Sequence, residues 1–91
     1  MPSAVRDNTE HHRFELDVDG AIAFSQYRRE GDTIAFMHTE VPKELRGKGT
    51  GSALVRGALA IARARGLKVA AKCPFVKAWL EKHPEDAGLA Q

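Results

Sequence analysis

At 91 residues, 43% apolar and 29% charged, the chain is sized for one small globular domain. A net charge of +2 excludes bulk electrostatic attraction to nucleic acid or a membrane surface. One cysteine excludes an intramolecular disulfide, and no run approaches the roughly 20 apolar residues of a membrane helix; with a polar N-terminus lacking a signal-peptide core, a cytoplasmic protein is expected.

Residues 1–10 are polar and read as a flexible leader, leaving 11–91 as a single domain. From His12 to Val18 the chain alternates, Phe14, Leu16 and Val18 to one side and Arg13, Glu15 and Asp17 to the other, the period of a half-buried strand. Asp19-Gly20 follows as a hairpin signal, because both turn positions tolerate positive φ. The second strand is expected over Ala21 to Arg29, with Ile22 and Phe24 on one face and Tyr27 on the other. Gly31-Asp32 turns the chain into a third strand, Thr33 to Val41, which Pro42 ends because it cannot donate to a ladder. Ser52 to Arg65 reads as a helix, with Leu54, Ala58, Ile61 and Ala62 repeating at helical spacing and Gly66 as its stop. Leu67 to Lys72 is a short fourth strand. Pro74 opens a second helix, Phe75 to Lys82, anchored by Phe75, Trp79 and Leu80 and ended by Pro84; the tail to Gln91 has no strong pattern. The strand–helix–strand unit returns to a parallel neighbour. The expected fold is α+β: a three-stranded antiparallel meander, then helix, parallel strand and C-terminal helix.

Between the third strand and the first helix lies Arg46-Gly-Lys-Gly49-Thr-Gly51, flexible backbone and two cations directly ahead of a helix N-terminus. Unpaired N–H groups and partial positive charge make such a terminus a place for an anion. A Walker loop is excluded, since position 42 is Pro and Gly49 follows Lys48. The dinucleotide fingerprint is excluded too, because Ser52 stands where its third glycine belongs.

The form R-x-x-G-x-G, following a strand and opening a helix, resembles the pyrophosphate-binding motif of the GNAT (Gcn5-related) N-acetyltransferases. With Glu40-Val-Pro-Lys-Glu-Leu-Arg-Gly-Lys-Gly49, Cys73-Pro-Phe75 and His83-Pro-Glu85, the chain is similar to the minimal single-domain members of that superfamily from about His12 to Glu85. The resemblance implies a minimal GNAT-like fold and an acetyl-CoA-dependent N-acyltransferase acting on an amine, with a non-catalytic acyl-CoA-binding module as the alternative. It implies that the third and fourth strands splay to admit the pantetheine arm of coenzyme A along the backbone of Glu40 and Val41. Gly47, Gly49, Thr50 and Gly51 would then hold the pyrophosphate with Arg46 and Lys48, and the thioester would lie near His38, Glu40 and Cys73. His38 and Glu40 stand two apart on a strand and are expected to share a face with each other and with Phe36; either could take the acceptor's proton. Cys73, between a strand and a helix, could carry the acyl group or line the pocket. An open acceptor side is expected, since the long N-terminal helical region of larger GNAT enzymes is not seen here, and that would suit a polypeptide amine or need a closing second subunit; a monomer or weak homodimer is expected. Asp86 replaces the aromatic residue that the small-family pattern carries after His-Pro-Glu.

Other residues carry less. Adjacent His11 and His12 lack metal-ligand spacing, so no metal is expected. Trp79 reads as core, Tyr27 is not placed near a thiolate, and His83 reads as a stabiliser of the second helix's end. A nucleic-acid site on Lys43, Arg46 and Lys48 is not expected, since no aromatic stacking block accompanies them.

Overall fold

The computed structural model describes residues 5–83. Expectations for Pro84, Glu85, Asp86 and the tail fall outside the described residues. The elements are β1 (Arg6–Asn8), β2 (Arg13–Val18), β3 (Ala21–Glu30), β4 (Thr33–Glu40), a 3-10 turn at Lys43–Leu45, α1 (Thr50–Ala64), β5 (Lys68–Ala71) and α2 (Pro74–Lys82). They build one five-stranded sheet in the order β1-β2-β3-β4-β5, antiparallel except for the parallel β4–β5 pair. The α+β architecture, an antiparallel meander followed by helix, parallel strand and C-terminal helix, is the expected one.

The expected leader is partly structured: Arg6–Asn8 pair with Arg13–Glu15 as an edge strand, which makes the meander four-stranded. Asp7 holds this strand down. It accepts a hydrogen bond from the Tyr27 hydroxyl on Oδ1 (2.5 Å) and one from Arg65 on Oδ2 (2.6 Å). Burial, and then the Asp7 carboxylate beside it, pushes the Tyr27 phenol up to about 12.

A two-residue turn at Asp19-Gly20, both with positive φ, sets Phe14 opposite Ser25 and Leu16 opposite Ala23. Directly opposed residues share a face, so β3 turns Ala23, Ser25 and Tyr27 to the core. The expectation that Ile22 and Phe24 form a face opposite Tyr27 holds, but theirs is the outer face: Ile22 is exposed, and Phe24 lies beneath the Arg13 guanidinium at 4.6 Å. One core joins the inner face, including Phe14, Phe36 and Val69, to Leu54, Val55, Ala58 and Leu59 of α1 and Val76, Trp79 and Leu80 of α2. Val76 takes the core place expected of Phe75, which is 42% exposed.

On the outer face Glu15 is buried by polar neighbours rather than by a helix. Its carboxylate accepts from Arg6, Asn8 and Arg13 at 2.6–3.1 Å. Burial alone would raise its pKa; the hydrogen bonds from Asn8, Arg13 and Arg6 outweigh that and lower it to about 2.

Candidate active site

The site begins with one extra residue in β4. Gln26 opposes His38 and Tyr27 opposes Phe36, so Met37 has no partner across the β3–β4 pair and forms a bulge. A bulge inverts the alternation beyond it. His38 and Glu40 therefore share a face with each other, Nε2 to Oε2 at 3.2 Å, but not with Phe36 as expected; Phe36 is buried in the core. Thr39 now takes the inner side, opposite buried Ser25.

The bulge also lies where the parallel strands part. β4 pairs with β5 from Thr33↔Lys68 to Phe36↔Ala71, and the Phe36 carbonyl then accepts from both Lys72 N (3.0 Å) and Cys73 N (2.8 Å). From Met37 onward β4 has no strand partner on that side among the described residues. A cleft of about 620 Å³ opens there, lined by His38, Thr39, Glu40, Val41, the loop residues Arg46, Gly47 and Gly49, the first turn of α1 and Phe75.

At the far end of the cleft stands the N-terminus of α1. Gly49 is its N-cap, in the left-handed region at φ 75°, and no side chain caps the helix. The first-turn N–H groups of Thr50, Gly51 and Ser52 thus have no acceptor within the helix. The glycines serve different ends. Gly47 (φ 79°) and Gly49 have open space where a Cβ would stand, so their role is backbone conformation. A Cβ on Gly51 would come within 2.6 Å of the Phe75 ring, so this glycine lets an aromatic wall lie on the helix start. Arg46 donates from Nε to the Val41 carbonyl (3.1 Å), which ties the loop to the end of β4. Lys48 turns away from the cleft and lines a depression with Asp19, Gly20 and Glu44.

Cys73 is the N-cap of α2 and 3% exposed. Its thiol donates to Thr39 Oγ1 at 3.4 Å, and it is not among the cleft-lining residues. Thr39 stands between the two.

A family model described as GCN5-related N-acetyl-transferase matches residues 13–89. The chain belongs to this family. A GCN5-like candidate N-acetyltransferase from Staphylococcus aureus, solved in solution by NMR, matches it with a TM-score of 0.74 and 29% identity. That match covers 100% of this chain and 91% of the staphylococcal one. No curated protein sequence matches the chain.

In this GCN5-related chain, then, the cleft brings together His38, Glu40, Val41, Arg46, Gly47, Gly49, Thr50 and Gly51, and leaves out Lys48 and, by one side chain, Cys73. Thr39, Leu45 and Ser52 line it without having been named as site residues from the sequence, and so does Phe75, which was expected as a core anchor. Ser52 had a signal, since it follows the last loop glycine directly; Thr39 had none while the bulge was hidden. Behind Ser52, Trp79 donates its indole N–H to the serine hydroxyl (2.8 Å) and stacks on His83, centroids 3.9 Å apart. His83 in turn bonds the Trp79 carbonyl through Nδ1 at 2.8 Å, holding the last turn of α2. Among the described residues no helix is long and apolar enough to cross a membrane.

Proposed function

We propose that the chain binds acetyl-CoA in the β4–β5 cleft and transfers the acetyl group to an amine. The observation that carries this reading is the parting of the two parallel strands at Phe36 and Ala71, with the open side of β4 leading into the uncapped N-terminus of α1. Pantetheine amides pair with the free β4 edge near Glu40 and Val41. The pyrophosphate lies on the backbone N–H groups of 50–52 and the left-handed loop at Gly47 and Gly49, where the helix terminus favours negative charge. Arg46, at the loop, adds a cation.

The chemistry is direct transfer. His38 and Glu40, paired on the outer face of the sheet and both more than half exposed, take a proton from the acceptor ammonium. The freed amine attacks the thioester carbonyl carbon, the C–S bond breaks, the new amide nitrogen gives up its extra proton to solvent, and the CoA thiolate leaves and takes a proton from solvent at the cleft mouth. Burial of Cys73 behind Thr39 favours this over an acyl-cysteine intermediate. The outer sheet face by the two bases is exposed, which suits a polypeptide amine approaching from that side. The protein acts in the cytoplasm as a monomer or weak homodimer, the latter measurable by sedimentation.

Titration calorimetry with CoA tests the reading. Ligand at about 100 times its dissociation constant stabilises a folded protein by about 2.7 kcal/mol, a clear shift in melting temperature for this size. No binding at millimolar CoA refutes it. Thiol release from acetyl-CoA with a panel of amines and lysine peptides separates an enzyme from a non-catalytic acyl-CoA-binding module.

A further inference from the structure

At the fork of the sheet, where β4 leaves β5, three side chains form a hydrogen-bonded chain. Ser25 Oγ lies 2.9 Å from Thr39 Oγ1, and the Cys73 thiol donates to the same Thr39 oxygen at 3.4 Å. Ser25 and Cys73 are buried, at 0% and 3% exposure, whereas Thr39 is half-buried and lines the cleft.

The direction of these bonds follows from counting protons. A hydroxyl has one proton and two lone pairs. Thr39 Oγ1 is the hydrogen-bond partner of the Ser25 side chain among the described residues. If Thr39 donated to Ser25, the serine proton would be stranded in the core, which costs about 1–3 kcal/mol. The arrangement without a stranded proton has Ser25 donating to Thr39. Thr39 Oγ1 then accepts from both Ser25 and Cys73, its lone pairs are filled, and its own proton is left for the cleft. Two buried residues thus aim one hydroxyl as a donor.

If the cleft holds acetyl-CoA as proposed above, we propose that the Thr39 hydroxyl donates a hydrogen bond to the acyl carbonyl oxygen of the thioester. Adjacent side chains on a strand point to opposite faces. His38 and Glu40 act from the outer face, where the amine arrives, and Thr39 acts from the inner face, towards which the oxygen is directed as negative charge develops on it. The bond is made before reaction and needs no reorientation during it, the condition under which an oxyanion donor contributes most. Thr39 is therefore a catalytic residue, and Ser25 and Cys73 are positioning residues.

The test uses acetyl-CoA carrying a 13C label at the acetyl carbonyl. In the wild type and in Thr39→Ser, the infrared carbonyl stretch of bound ligand falls below that of free ligand. In Thr39→Val it returns to the free value, CoA affinity is unchanged, and turnover drops by about 100- to 1,000-fold. Because Thr39→Val strands the Ser25 proton and could unfold the domain, Ser25→Ala/Thr39→Val is measured alongside; it removes both hydroxyls and gives the same unshifted carbonyl. Ser25→Ala alone weakens the shift in the Thr39 background and changes nothing further when valine is at 39. A carbonyl frequency in either valine variant equal to the wild type's, or an unshifted carbonyl in wild type that binds CoA, overturns the role of Thr39. Wild type that fails to bind CoA overturns the reading of the cleft instead.

Discussion

Replacing Glu15 with Gln tests how the outer face of the sheet is held. The carboxylate is buried, yet its pKa falls from an ordinary 4.5 to about 2, because the opposing burial is outweighed by hydrogen bonds from Asn8, Arg13 and Arg6. A shift of that size corresponds to about 3 kcal/mol. The Arg6 side chain that covers the site is itself 60% exposed, so solvent screens part of this and about 2 kcal/mol is the expected contribution. Since the folded-state pKa is depressed, the contribution is present above pH 4.5 and disappears as pH falls through about 2. Urea unfolding from pH 7 down to pH 2 should show the wild type losing this stability below pH 4.5. Glu15→Gln should be less stable by a similar amount at pH 7, with the difference closing in acid. For a domain of this size the deficit at neutral pH is a fall in melting temperature of about 10 °C. Equal stability of the two proteins at pH 7, or parallel acid profiles, would refute the argument that these three donors overcome burial.

Gly49→Ala must hold alanine at φ 75° with no new contact, so it should lose about 1–2 kcal/mol in denaturant unfolding. Gly51→Ala should instead displace the Phe75 ring and lower CoA affinity more than stability, as calorimetry and melting would separate. Cys73, at 3% exposure, should resist a thiol reagent until the protein is unfolded, and intact-mass analysis after incubation with acetyl-CoA should find no acetyl adduct on it. Asp7→Asn should bring the alkaline absorbance titration of Tyr27, the chain's one tyrosine, down from about 12 towards 10. In the wild type the raised phenol pKa contributes stability that is complete below pH 10 and lost as pH rises through about 12.

Much of the fold was legible because local signals agreed. The Asp19-Gly20 turn, the proline after the third strand, the glycine loop and the helical repeat from Leu54 all lie within a few residues of where the elements begin or end. The first strand was hidden because Arg6–Asn8 has no apolar residue; its inward side chain is Asp7, whose partners Tyr27 and Arg65 are far away in sequence. The inner face of the second hairpin strand was within reach. A two-residue loop at Asp19-Gly20 places Leu16 opposite Ala23 and Phe14 opposite Ser25, so the large residues inside demand small ones facing them. Apolarity of Ile22 and Phe24 pointed the other way, and Phe24 is satisfied by Arg13 rather than by the core. In the site, the loop residues could be placed because conformation and sequence coincide there. The face of Thr39 could not, because nothing in Phe36-Met-His-Thr-Glu40 marks Met37 as an inserted residue.

That inserted residue yields a prediction that separates fold from function. A bulge bends its strand and increases local twist, and here it immediately follows Phe36, the last residue of β4 to pair with β5. Deleting Met37 leaves Tyr27 opposite Phe36, Gln26 opposite His38 and Ser25 opposite Thr39, so every side chain keeps its present face while the ladder becomes continuous. An exposed residue is lost and no core residue moves outward, so the variant should fold with a melting temperature near that of the wild type. With the bend gone, the free stretch of β4 should lie closer to the chain that follows β5, and the cleft should narrow. CoA affinity should then fall by at least about tenfold, a difference of about 1.4 kcal/mol, while far-ultraviolet circular dichroism stays the same. If the deletion variant binds CoA as tightly as the wild type, the bulge is not what opens the cleft; the Pro42 turn and the N-terminus of α2 would then have to hold the strands apart without it.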